Sequence, residues 1–104
     1  MIAPNVHVSR LAQVDTDTAD ELIRLARFTE TVLGNVYRPH GINIGMNVGE
    51  AAGAGIAAHL HLHVLPRWTG DANFMAVVGN TRVMPELLED TYEKLRPEFE
   101  QYRP

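Results

Sequence analysis

The chain has 104 residues, the length of one domain spanning residues 1–104, and its 45% hydrophobic and 21% charged content is that of an ordinary globular protein. There is no cysteine, which excludes a disulfide framework or a thiolate metal site, and nine basic against thirteen acidic residues leave a net charge of −4. Such a balance argues against nucleic-acid binding through a basic surface, so any attraction for phosphate must be local. No apolar run is long enough for a bilayer and no basic-then-apolar leader opens the chain, so the expected setting is the cytoplasm, with no membrane partner.

In chain order, Met1-Ile2-Ala3 reads as the end of a strand stopped by Pro4. A helix is predicted from about Thr18 to Val36, with Thr18 and Glu21 at capping-box spacing. Leu22, Leu25, Ala26, Thr29, Val32, Leu33 and Val36 form its apolar face, and Arg38-Pro39-His40-Gly41 breaks it. From Ile42 to Val48 apolar and small polar residues alternate strictly, as in a half-buried strand. Gly49 to Ala58 is a small-residue loop, His59 to Leu65 a second alternating strand ended by Pro66, and 74–78 a short strand. A closing helix is expected from Met84 to about Arg96, with Pro85 in its first turn and Leu87, Leu88, Thr91 and Leu95 on its apolar side. Two sequential strands joined by a short loop favour an antiparallel pairing, hence an α+β fold with two helices.

The chemistry lies in His59-Leu60-His61-Leu62-His63-Val64-Leu65. On an extended strand the three imidazoles share one face and Leu60, Leu62 and Val64 pack beneath them. Three readings stay open on the residues alone. The histidines are simply exposed, or they bind a metal with a fourth ligand from His7, Asp71 or water, or one of them attacks phosphorus. A tag is excluded by the internal position and the interleaved leucines. Three successive positions on one straight strand converge poorly on one ion, whereas neutral imidazole is a good nucleophile near pH 7. Attack requires one ring nitrogen to be free, so the other should donate to a carbonyl or another imidazole.

The pattern of alternating histidines and apolar residues resembles that of the histidine-triad (HIT) family, which His59 to Leu65 match at every position. Gly41 to Gly49, Ala52 to Ile56, and Pro66 to Met75 resemble the bacterial diadenosine-tetraphosphate phosphorylase branch of that family. The resemblance implies an antiparallel HIT-like sheet with two helices. It implies His61 as a nucleophile forming a covalent nucleotidyl intermediate at the α-phosphate of a dinucleoside polyphosphate. It further implies His63 as donor to the leaving oxygen and His59 as an orienting residue. Asn47, Gly53, Ala54, Gly55, Ile56 and His7 match positions that line the phosphate pocket. No cofactor is implied, no resident metal is expected, and a homodimer joined through the first helix and the following strand is expected.

Relatives carry further strands before the point matched by Met1, so the resemblance implies a fold truncated at its N-terminus. Some relatives hold a structural zinc with a cysteine pair from that segment and histidines matching His7 and His59; without cysteine that site cannot form in the usual way. Two alternatives accompany the main reading: a catalytically weak or inactive dimeric nucleotide-binding module, and a nucleoside phosphoramidase. Arg67 and Trp68 each admit two roles, a phosphate or base contact and an ordinary surface or packing role, and His40 reads as a turn residue.

Overall fold

A carboxylate starts the main helix. Asp15 accepts hydrogen bonds from the Thr18 amide (2.8 Å) and the Thr18 hydroxyl (3.1 Å), and helix α1 runs over Thr16–Tyr37 in the computed structural model. The structure describes residues 1–55, 58–71 and 86–104. The cap therefore lies three residues before the Thr18–Glu21 box expected from sequence. A carboxylate answers both the open amides and the positive end of the helix dipole, and the Thr18 amide in turn holds the Asp15 carboxyl below its usual range. The helix ends where Arg38 takes the left-handed conformation (φ 50°, ψ 53°) and its N–H reaches the Gly34 carbonyl, with Pro39 preventing continuation.

The buried stripe of α1 is Leu22, Ala26, Thr29, Val32 and Leu33, and Leu25 and Val36 flank it half-buried, as the periodicity predicts. The buried hydroxyl of Thr29 is satisfied by the Leu25 carbonyl at 2.7 Å. Helix α1 packs against β2 (His63–Arg67), which forms an antiparallel ribbon with β1 (Gly41–Gly45). The register sets Ile42 opposite Pro66, Ile44 opposite Val64, Asn43 opposite Leu65 and Gly45 opposite His63.

Both strands differ from their predicted limits. β1 stops at Gly45, and Met46, Asn47 and Val48 continue outside it; Ile42 is half-buried, whereas Ile44 is 48% exposed. Pro66 does not end the second strand but sits inside it. A proline lacks only its own donor, and a strand with one paired neighbour among the described residues tolerates that loss. The triad's first half pairs elsewhere: Leu62 exchanges two backbone bonds with Ile2 (2.7 and 2.9 Å), and the Leu60 amide donates to the Val8 carbonyl at 2.7 Å. The Met1-Ile2-Ala3 segment is thus extended, and it lies against the triad.

Helix α2 covers Leu88–Phe99. The start expected at Met84 and Pro85 and the strand expected at 74–78 lie outside the described residues. Leu87 and Leu88, expected on the apolar side, are 68% and 83% exposed, and Leu87 caps the helix rather than joining it. Thr91 and Leu95, also expected there, are half-buried, and Phe99 continues that side at the same spacing of four, with Phe28 of α1 meeting Phe99 and Tyr102 edge-on or tilted at 5.5 and 5.1 Å between ring centroids.

One carboxylate ties the two helices together. Glu86 accepts from the Tyr37 hydroxyl (2.5 Å), from the Thr91 hydroxyl (2.6 Å) and from the Lys94 ammonium. Lys94 foremost, then the two hydroxyls, hold the Glu86 carboxyl down to about 2. Because the folded value lies below the unfolded one, this contribution to stability is complete above about pH 4.5 and is lost as pH falls toward 2. The melting temperature is therefore expected to drop between pH 5 and pH 3. Glu86→Gln should start lower at pH 6 and show a shallower acid slope. Equal acid slopes for the two proteins, read by circular dichroism, would remove Glu86 from this role.

Candidate active site

Leu60 and Leu62 are buried (2% and 4% exposed) and Val64 is half-buried, so the leucine side of the triad is core and the histidines lie on the opposite side of the strand. His59, His61 and His63 are each half-buried. Gly45 stands opposite His63 in the ribbon, so the directly opposed residue of β1 places no side chain against that ring.

The hydrogen bonds determine which ring nitrogens are free. His61 Nδ1 lies 2.9 Å from the carbonyl oxygen of His59. A carbonyl can only accept, so Nδ1 carries the hydrogen and the neutral ring keeps a lone pair on Nε2. The His63 ring meets His61 edge-on at 4.6 Å between centroids. His59 Nε2 donates in the same way to the Pro4 carbonyl at 2.7 Å, which leaves His59 Nδ1 as acceptor toward His7 Nδ1 at 3.3 Å. His7 and His59 are T-shaped, 5.0 Å apart. The element that orients His61 is therefore the main chain of His59. The His59 side chain anchors the N-terminal segment.

Two nitrogens at the His7–His59 separation would also suit two corners of a tetrahedral zinc with bonds of about 2.0–2.1 Å. A closed structural zinc needs two more ligands. Among the described residues no group of three or more His, Cys, Asp or Glu is placed to hold a metal ion, and the chain has no cysteine. These residues do not fit that group, and the pair is a hydrogen bond.

The glycine loop is built by its own backbone. A 3-10 turn at Glu50–Ala52 is flanked by Gly49 (φ 87°) and Gly53 (φ 100°), conformations that favour glycine. The amides of Ala52 and Ala54 donate to the Gly49 carbonyl, and that of Gly53 to Glu50. These three amides turn inward rather than fanning toward a ligand. Among the described residues none accepts from the Gly55 amide. Asn47 lies over this loop: a Cβ placed on Gly53 would meet Asn47 Nδ2 at 3.6 Å. Ile56 lies outside the described residues. The sequence-predicted site thus falls into two contact groups, the chain His7–His59–His61–His63 and the pair Asn47–Gly53, with no hydrogen bond between the groups among the described residues.

Arg67 does not face the site as a free charge. Its guanidinium makes a two-pronged bond to Asp71 (2.8 Å each) and a third bond to Asn43 Oδ1 at 2.8 Å. Asp71, also accepting from the Trp68 amide, is held at about 2 by Arg67. This clamp explains both Asn43 and Asp71, and the four-residue spacing of Arg67 and Asp71 was its only signal in the sequence. His40 is more than a turn residue, because its Nδ1 accepts from the Thr69 amide at 2.8 Å. Trp68 is 38% exposed at the strand end.

The chain is similar to several known proteins. AP-4-A phosphorylase from Mycobacterium tuberculosis is 43% identical over 99 residues, covering 95% of this chain and 51% of that protein. An uncharacterised HIT-like protein from Saccharolobus solfataricus is 25% identical over 75 residues, covering 72% of this chain and 53% of its own length. The chain therefore spans about half the length of the curated relatives it matches. Among solved structures, a zinc-bound histidine triad family protein from Mycobacterium smegmatis superposes with a TM-score of 0.69 at 25% identity, over 95% of this chain and 66% of that one. The family model described as the HIT domain matches residues 1–70, which hold the N-terminal segment, α1, the ribbon and all three triad histidines, and the chain belongs to the HIT domain family.

Proposed function

We propose that this protein is a nucleotidyl transferase or hydrolase that cleaves dinucleoside polyphosphates of the diadenosine tetraphosphate type at the α-phosphate, through a covalent bond to His61. The observation that carries this reading is the His61 Nδ1 bond to the His59 carbonyl, which leaves the Nε2 lone pair available. The likeness to an AP-4-A phosphorylase supports the substrate class.

In the first step Nε2 bonds to the α-phosphorus as the P–O bond to the remaining polyphosphate breaks, its electron pair leaving on oxygen. Protonated His63, beside His61, donates a proton to that oxygen. In the second step an oxygen of phosphate or water bonds to phosphorus, the N–P bond breaks, and the acceptor's proton returns to His63. Phosphate as acceptor yields a nucleoside diphosphate and water a monophosphate; the relative's name favours phosphate. A phosphoramidase would pass through the same intermediate with a different leaving group.

The test is mass spectrometry of the protein mixed briefly with diadenosine tetraphosphate and quenched without acid. An adenylyl adduct on the parent and none on His61→Ala is the expected result. No adduct and no turnover, with this substrate or an adenosine phosphoramidate, overturns the reading in favour of an inactive nucleotide-binding module.

The same reading includes a cytoplasmic homodimer joined through α1 and β1. Among the described residues no helix is long and apolar enough to cross a membrane, and Ile23 on α1 and Ile44 on β1 are 56% and 48% exposed. Ile44→Asp is expected to halve the mass measured by light scattering while leaving the circular dichroism unchanged. A dimer that persists in this variant would place the interface elsewhere.

A further inference from the structure

A cleft of about 210 Å³ opens where the N-terminal segment passes the glycine loop; Ser9, Arg10, Gly49, Glu50, Ala54 and Gly55 line it. We propose that this cleft is the subsite for the phosphates beyond the one attacked, with Arg10 as its cation. The inference rests on the reading that the α-phosphate is bonded by His61.

Topology sets the cleft on the right side of the triad. The Leu60 amide is bonded to the Val8 carbonyl, so Ser9 and Arg10 continue past His59 toward the glycine loop that precedes it. A polyphosphate leaving His61 along that loop meets Arg10. The position of Arg10 is also fixed independently of its side chain. Gln13 Oε1 accepts from both the Ser9 and the Arg10 amides at 3.1 Å, which folds this segment into the short 3-10 turn Leu11–Gln13.

Charge points the same way. With a net charge of −4 the protein as a whole repels polyanions, so a polyphosphate needs a local cation. Arg67, the arginine nearest the triad in sequence, is neutralised by Asp71. Arg10 is exposed at the cleft, and among the described residues no carboxylate forms a salt bridge with it. Gly55 also lines the cleft, and its amide has no acceptor among the described residues. Glu50 is the opposing charge among the residues that line the cleft.

The experiment is equilibrium titration of the full chain with inorganic tripolyphosphate and, separately, with AMP, at about 0.15 M salt. It compares the parent, Arg10→Gln and Arg10→Lys. Arg10→Gln is expected to weaken tripolyphosphate binding about tenfold, as loss of one exposed charge-assisted contact does. AMP binding should stay unchanged, and Arg10→Lys should recover most of the loss. The inference is overturned if the parent shows no tripolyphosphate binding, if Arg10→Gln leaves it unaltered, or if AMP weakens equally. Failure of the covalent reading is seen separately, as absence of the adduct on His61.

Discussion

His61→Ala is expected to lower the turnover of diadenosine tetraphosphate by a factor of about 10³ or more, with nucleotide affinity changed less than about threefold. The asymmetry follows from the geometry. In the proposed mechanism the imidazole supplies the attacking lone pair, which an alanine cannot replace. In the same proposal the nucleotide is held by other residues, the Asn47–Gly53 pair and the Gly55 amide among them. His59→Ala is the informative contrast. It removes the ring that binds Pro4 and His7 but keeps the carbonyl that receives His61 Nδ1, so its effect should fall on anchoring of the N-terminal segment more than on chemistry. A His59 variant as inactive as the His61 variant, with an unchanged melting temperature, would assign the ring itself a chemical role. Added imidazole partly restoring His61→Gly would identify the missing group directly.

Leu62→Ala is expected to destabilise the fold by about 2–5 kcal/mol, because it empties a core position beneath the histidine face. Leu62 is 4% exposed and lies between His61 and His63, and its backbone is the one that pairs in both directions with Ile2. A domain of this size has about 5–15 kcal/mol in all, so the melting temperature should fall by at least about 10 °C. Urea unfolding monitored by circular dichroism measures the loss. A cost below about 1 kcal/mol would mean that the site collapses around the gap, or that the leucine side of the triad is not the core. Leu62→Val, which removes less volume, should fall between the parent and Leu62→Ala. Near 10 °C the Leu62→Ala protein should still be folded enough to form the His61 adduct, which separates the packing role of this residue from the chemistry of its neighbours.

Periodic features are legible in the chain itself. The apolar stripe of α1 and the alternation of His59 to Val64 repeat with the period of one element, so a local reading finds both the buried side and the chemical side. The orientation of His61 is half legible: the chemistry demands an acceptor for one nitrogen, but only the folded chain shows that it is the carbonyl two residues back. What stays hidden in the sequence depends on contacts that its patterns do not encode. Asp15 displaces Thr18 as helix cap because its carboxylate reaches the third amide, a choice made by side-chain geometry rather than by pattern. Pro66 remains within β2 because its pairing leaves the missing donor without consequence, and that is settled by the neighbouring strand. Arg67 is committed to Asp71 and Asn43, and His59 reaches across 52 residues to His7. Leu87 and Leu88 are exposed although their spacing suits a buried face, because the helix meets Phe28 of α1 through Phe99, at its other end. Local periodicity determines which side of an element is apolar; the partner that side meets, and the charges left free beside it, are decided only when the elements pack.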